Sequence, residues 1–160
     1  MNERIARLRA QVAADRGALT RRLDELAATD VSGTTSEDAA YRAAWAAHHA
    51  YSALEAILER TARTLEGGLP DGADWHKELL SGAFLDIIGL RPAILSAPIA
   101  ATLHELRGFR HFVRHAYDGD LNPELLTALQ SRLRLVRGEL DADLDRFDAF
   151  LEDLVAVAPG

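Results

Sequence analysis

No cysteine occurs in this chain, which excludes disulfides, thiolate metal sites and a cysteine nucleophile. Proline is scarce, at five residues, and β-branched residues are few. Strands therefore have little to build on, and helices meet few interruptions. No apolar run approaches the roughly 18 residues that a membrane span needs. The opening Met1-Asn2-Glu3-Arg4 leads into a charged segment with no apolar signal core. A cytoplasmic location without a membrane partner is the expectation.

What is present points to helices. Of the 160 residues, 48% are hydrophobic, enough to rule out disorder, and Ala and Leu dominate. That length suits one domain, 1–160, with a real core. A net charge of −7 argues against a surface that coats nucleic acid. Locally the balance reverses. Between Arg91 and Tyr117 four arginines (Arg91, Arg107, Arg110, Arg114) face the single acid Glu105, a local charge of +3. A small basic site on an acidic body suits an enzyme acting on a phosphate.

Apolar spacing predicts four long helices and a short one in an all-α, up-and-down bundle. The first spans about 2–28, with Ile5, Val12, Leu19 and Leu26 at seven-residue intervals and Leu8 and Leu23 beside them. A polar break from Asp30 to Thr35, with Gly33, precedes a second helix capped by Ser36, with Glu37 and Asp38 in its first turn. Its apolar line runs Ala44, Ala47, Tyr51, Leu54, Leu58, Leu65, and Gly67-Gly68 ends it. The short helix is expected from about Asp74 to Ile88, broken by Arg91-Pro92, and a fourth helix runs as far as about Tyr117. After the turn Asp118-Gly119-Asp120-Leu121, Asn122-Pro123 starts the last helix. That helix carries Leu126, Leu129, Leu133, Val136, Leu140, Leu144, Phe147, Leu151 and Leu154 on one face.

The fourth helix holds the distinctive motif, Arg110-His111-Phe112-Val113-Arg114-His115-Ala116-Tyr117, which reads R-x4-H-x-Y. Arg110 interrupts the stripe Ile99, Leu103, Leu106, Val113, Tyr117 where an apolar residue is expected. A guanidinium there must meet a carboxylate, reach water or face a site. Five residues turn an ideal helix by about 500°, so Arg110 and His115 diverge by about 140°. They converge if the helix ends or tightens near His115, as Gly119 suggests, or if a second copy crosses it at a two-fold axis. The chemistry open to such a cleft is narrow. Arg binds phosphate with paired hydrogen bonds, and His moves a proton near neutrality. With the substrate's own 2′-hydroxyl as nucleophile, no metal is required, and the reaction is RNA cleavage to a 2′,3′-cyclic phosphate. No carboxylate pair at helical spacing accompanies the motif, so two-metal hydrolysis has little support. The plain alternative pairs Arg110 with Glu105 or another acid and leaves His115 at a helix end.

The motif resembles the R-x4-6-H-x-Y signature of the HEPN superfamily, specifically its HepT-like toxins. The stretch Asp74-Trp75-His76-Lys77-Glu78-Leu79-Leu80 and Arg91-Pro92 are also similar to segments of one HepT-like group. The resemblance covers roughly residues 41–151 and leaves the first helix outside. It implies a HEPN-like bundle acting as a homodimeric, metal-independent endoribonuclease toxin without a cofactor. Arg110 would bind and stabilise the phosphate, and His115 would act as general base or acid. Tyr117 matches the tyrosine that a partner MNT-type nucleotidyltransferase antitoxin adenylylates (AMPylation) to silence the toxin. One departure stands out. Family members often carry Asn or another small polar residue after the Arg, where this chain has His111. Either His111 takes that role or the site is retuned.

Other residues carry weaker signals. His76, His111, Arg107 and Arg114 are candidate RNA contacts or supports for the site. His104, His111 and His115 share a helix side as conceivable metal ligands, but no partnering carboxylates are evident, so no metal site is assigned. His48-His49 beside the second helix's stripe and Trp75 read as packing residues, and Glu139, Asp141, Asp143 and Asp145 as a solvated face. Two further readings stay open: an inactive HEPN-type module that binds a nucleotidyltransferase, and a metal-binding bundle.

Overall fold

The computed structural model describes residues 2–32, 37–115 and 121–157, with side chains for 3–32, 38–109 and 121–157. Among the described residues five α-helices make up an all-α, HEPN-like bundle: α1 (Asn2–Ala28), α2 (Glu37–Thr61), α3 (Trp75–Gly82), α4 (Ala100–His115) and α5 (Pro123–Val157). Among the described residues the sole β feature is an isolated antiparallel bridge between Ile87 and Arg91. The Ser36 cap, Gly33, and the turn expected at 118–120 lie outside the described residues. No helix among those described is long and apolar enough to cross a membrane.

α2 is the central helix, packing against α1, α3, α4 and α5. The apolar line Ala44, Ala47, Tyr51, Leu54, Leu58 is buried as its spacing predicts. A second line, Ala43, Ala46, Ala50 and Ile57, is buried as well, so α2 is enclosed on two sides. The small alanines leave neighbouring helices room to approach, which a one-stripe reading does not anticipate. α1 inserts Ile5, Leu8, Val12, Leu19, Leu23 and Leu26 into the same core, and α5 inserts Leu126 through Leu151. Each buried Leu, Ile or Phe contributes about 1.5–3 kcal/mol of transfer free energy.

Helix ends follow local chemistry. Asn122 Oδ1 accepts the Glu124 amide at 2.9 Å with Pro123 at the first helical position, so α5 begins where the sequence sets it. α2 passes into one π-helical turn, Ala62–Glu66, and stops at Gly67, whose φ of 85° is left-handed. The carbonyls left open at the end of α1 are met from α5. The buried Gln130 amide donates to the carbonyls of Leu26 and Thr29, both at 2.7 Å.

Two expectations are corrected here. The short helix ends at Gly82 rather than near Ile88. The cause is Arg91, whose side chain is only 3% exposed. Its Nε donates to Glu66 Oε1 at 2.6 Å, and its terminal nitrogens donate to the carbonyls of Leu85 and Pro92 at 3.1 Å and of Gly82 at 3.2 Å. The guanidinium takes the carbonyls that a continuing helix would use and turns the chain at Gly89, φ 80°. Second, Asp143 does not belong to a solvated face. It is buried and accepts the Ser96 amide at 2.8 Å and the Ser96 hydroxyl at 2.9 Å, and it also pairs with Arg146. Ser96 donates to Glu139 too. These bonds fasten the 3₁₀ turn Ala97–Ile99, and with it the start of α4, to α5.

Candidate functional site

α4 carries the motif. It is seated on the core by Ile99, Leu103, Leu106 and Phe109, all buried, against α2 and α5. The backbones of Arg110, His111, Arg114 and His115 lie in α4, while their side chains and all of Tyr117 lie outside the described residues. Glu105, the acid considered as a partner for Arg110, pairs with Arg132 of α5.

The neighbours one and two turns earlier are described. His104 is half-buried with its ring 6.1 Å from that of Phe84. Burial, then the nearby Arg107 and Lys77 charges, hold its imidazole below the ordinary histidine range. Those two cations disfavour a third, so His104 is poorly placed to bind a metal. Among the described residues no group of three or more His, Asp and Glu is arranged for a metal ion. Arg107 is half-buried, and its Nε has no hydrogen-bond partner among the described residues.

His76, a candidate RNA contact, is drawn the other way. Its Nδ1 lies 2.8 Å from Glu55 Oε2, a carboxylate only 4% exposed in the middle of α2. Its ring stacks on Trp75 at 3.6 Å, and Trp75 packs against the core as an anchor. The His76–Glu55 pair joins α3 to α2 and keeps a buried acid satisfied.

One group was missed from the sequence. Trp45 of α2 is 54% exposed, and its ring lies 5.8 Å from that of His48 and 4.6 Å from that of His49. Together with exposed Tyr41 it makes an aromatic strip outside the apolar stripe. The signal was the i, i+4 spacing of Tyr41, Trp45 and His49.

A family profile described as HepT-like protein matches residues 43–151, from α2 through most of α5. The chain belongs to the HepT-like family. The match leaves out α1, as the motif-based resemblance over 41–151 does, and takes in the whole R-x4-H segment together with Tyr117. No curated protein and no solved structure matches the chain. This HepT-like chain thus carries the R-x4-H segment on the helix that packs against α2 and α5.

Proposed function

We propose that this protein is a metal-independent endoribonuclease toxin, one domain over 1–160, working as a cytoplasmic homodimer beside an MNT-type nucleotidyltransferase antitoxin. The observation that carries the reading is the R-x4-H-x-Y motif within the segment matched by the HepT-like family. Across a two-fold axis, Arg110 and His115 of both copies line one cleft. The 2′-hydroxyl oxygen attacks the adjacent phosphorus, and the bond from phosphorus to the 5′-oxygen breaks. One His115 accepts the 2′ proton, and the partner copy's equivalent supplies a proton to the leaving 5′-oxygen. Arg110 donates to the non-bridging oxygens as their charge builds. The products are a 2′,3′-cyclic phosphate and a 5′-hydroxyl. Tyr117 is the antitoxin's target: an added AMP brings negative charge and bulk beside the scissile phosphate and opposes RNA binding.

Arg110→Ala or His115→Ala lowers RNA cleavage by about 10²- to 10⁴-fold with the helical content unchanged. The wild-type product carries a cyclic phosphate, and EDTA does not inhibit. Cleavage that requires Mg²⁺, or that proceeds equally on DNA, overturns the mechanism. Should the protein bind a nucleotidyltransferase yet cut no RNA, the inactive-module reading takes its place, with His111 after the motif Arg as its basis. Intact mass after co-expression with a nucleotidyltransferase, with Tyr117→Phe as control, tests the modification.

A further inference from the structure

α2 fills its buried faces with alanine, at Ala43, Ala44, Ala46, Ala47 and Ala50, yet leaves Tyr41 and Trp45 largely in solvent. Hydrophobic burial alone would favour the reverse. The exposed rings are also held. The Trp45 indole lies 4.6 Å from the His49 ring, edge-on at 72°, and 5.8 Å from the His48 ring. The two imidazoles are themselves 5.2 Å apart. Trp45 is thus braced by rings from the next turn of its own helix, and Tyr41 stands one turn earlier, about 6 Å along the axis. An aromatic group fixed in advance loses little freedom on taking a partner.

Its size indicates what that partner is. Two rings each about half exposed offer roughly 200 Å² of open surface. A stable protein contact buries about 800 Å² on each side. Among the described residues α2 exposes no large aliphatic side chain beside the rings. Charge does not mark the strip either, since Asp38 stands four residues before Arg42, the spacing of an ion pair within a helix. A small, fixed aromatic surface suits the faces of one or two nucleobases, which stack on such rings whatever their sequence.

The strip also stands at the height of the motif. Facing antiparallel helices share levels on either side of a contact. Glu105 of α4 pairs with Arg132 of α5, so as α4 runs on to Arg110, α5 runs back to Thr127. The Thr127 hydroxyl donates to the Val31 carbonyl at 3.0 Å, just beyond the end of α1. Asp15 of α1 pairs with Arg60 of α2, so as α1 runs on to Ala28, α2 runs back to Ala47. Trp45 and Tyr41 lie just past Ala47, near the level of Val31, Thr127 and the Arg110 backbone. α2 packs directly on α4, and packed helix axes are about 8–10 Å apart. A nucleotide flanking the one held at Arg110 spans that distance.

We propose that Trp45, braced by His48 and His49 and extended by Tyr41, is a stacking platform for an unpaired base of the RNA strand beside the scissile phosphate; this rests on the ribonuclease reading above. The platform binds single strands, because a paired base presents no free face to it.

The test measures binding of a 2′-O-methyl oligonucleotide, which cannot be cleaved, to wild type, Trp45→Ala and Trp45→Phe. Trp45→Ala weakens binding about 5- to 150-fold, and Trp45→Phe, which keeps a ring, recovers most of it. The slope of log affinity on log salt is unchanged, because no phosphate contact is lost. A series of oligonucleotides, each lacking one base, locates the stacked position. Wild type loses affinity when that base is missing, and Trp45→Ala is indifferent to it. A structural role for Trp45 would weaken every oligonucleotide alike. On a cleavable oligonucleotide KM rises in Trp45→Ala with kcat kept. Cleavage by wild type with no missing-base effect, or with that effect intact in Trp45→Ala, overturns the platform and leaves the ribonuclease reading standing. Light scattering that shows Trp45→Ala to be a monomer where wild type is a dimer overturns the platform too, since a second copy then covers the strip. The missing-base effect in a wild type that cuts no RNA keeps the platform and overturns the ribonuclease. Wild-type protein that binds no oligonucleotide overturns both.

Discussion

The two sides of this bundle treat charge in opposite ways. Along the seam between α1 and α5, arginines meet acids from the facing helix. Arg9 grips Asp148 at 2.8 Å and Glu152 at 3.3 Å, Arg16 meets Asp145 at 2.7 Å, and Arg137 meets Asp24 at 3.1 Å. Where α3 packs on α4 no such ion pair ties the two helices among the described residues, and burial first, then the Arg107 and Lys77 charges, hold the His104 imidazole below the ordinary histidine range. Matched charges tie helices to one another.

Arg91 gives the largest expected effect and the sharpest control. It lies in the connection between α3 and α4, is buried, and has Glu66 and three carbonyls as partners. Arg91→Met leaves Glu66 without its partner and frees the carbonyls that end α3, and costs about 3–5 kcal/mol in urea unfolding. Arg107→Met, by contrast, shifts stability by about 0.5 kcal/mol or less, as expected away from structural contacts. A comparable loss at both positions would make Arg107 a structural residue and erase the difference between the two sides.

The matched side has a smaller expected effect. Arg9 and Asp148 form a bidentate pair at the surface, where water screens most of its attraction. Asp148→Asn gives a small loss of stability that shrinks further as salt screens the pair. The pH dependence has a definite sign. The Arg9 hydrogen bond holds the Asp148 carboxyl below its ordinary value of 3.8. The stabilisation is therefore full above that value and is lost as pH falls through the depressed one. Wild type and Asp148→Asn should converge in strong acid. A difference independent of salt and pH would mean that packing, and not charge, joins α1 to α5 there.

Much of this was legible in the sequence wherever the cause is local or periodic. The stripes of α1 and α5, the start of α5 at Asn122-Pro123 and the end of α2 at Gly67 each depend on residues close together in the chain. Features set by tertiary partners were not legible. Arg91 shortens α3 by taking carbonyls on either side of it, Asp143 is buried because Ser96 comes to it from 47 residues away, and Glu55 meets His76 of α3 from 21 residues away. The candidate site divides along the same line. Arg110, His115 and Tyr117 are a pattern within eight residues of chain, visible at once. The company of His104 needed α3 to be folded against α4, so the sequence offered it as a metal ligand rather than as a neighbour of Lys77 and Arg107.

The smallest expected effect tests the unmatched side most directly. Because burial, Arg107 and Lys77 lower the His104 pKa in the folded state, the unfolded chain takes up more protons at this residue below its ordinary value of 6.5. Stability therefore rises with pH across the interval from the depressed value up to the ordinary one, and falls as pH drops through it. The chain has five other histidines, so the informative quantity is the difference between wild type and His104→Gln in urea midpoint at pH 5 and pH 7.5. The variant should lose less stability on acidification. NMR titration of the His104 ring separates the causes. Burial is the larger one, so Lys77→Gln/Arg107→Gln should move the pKa only part of the way back. A pKa that ignores the lost cations would mean that His104 senses only its burial.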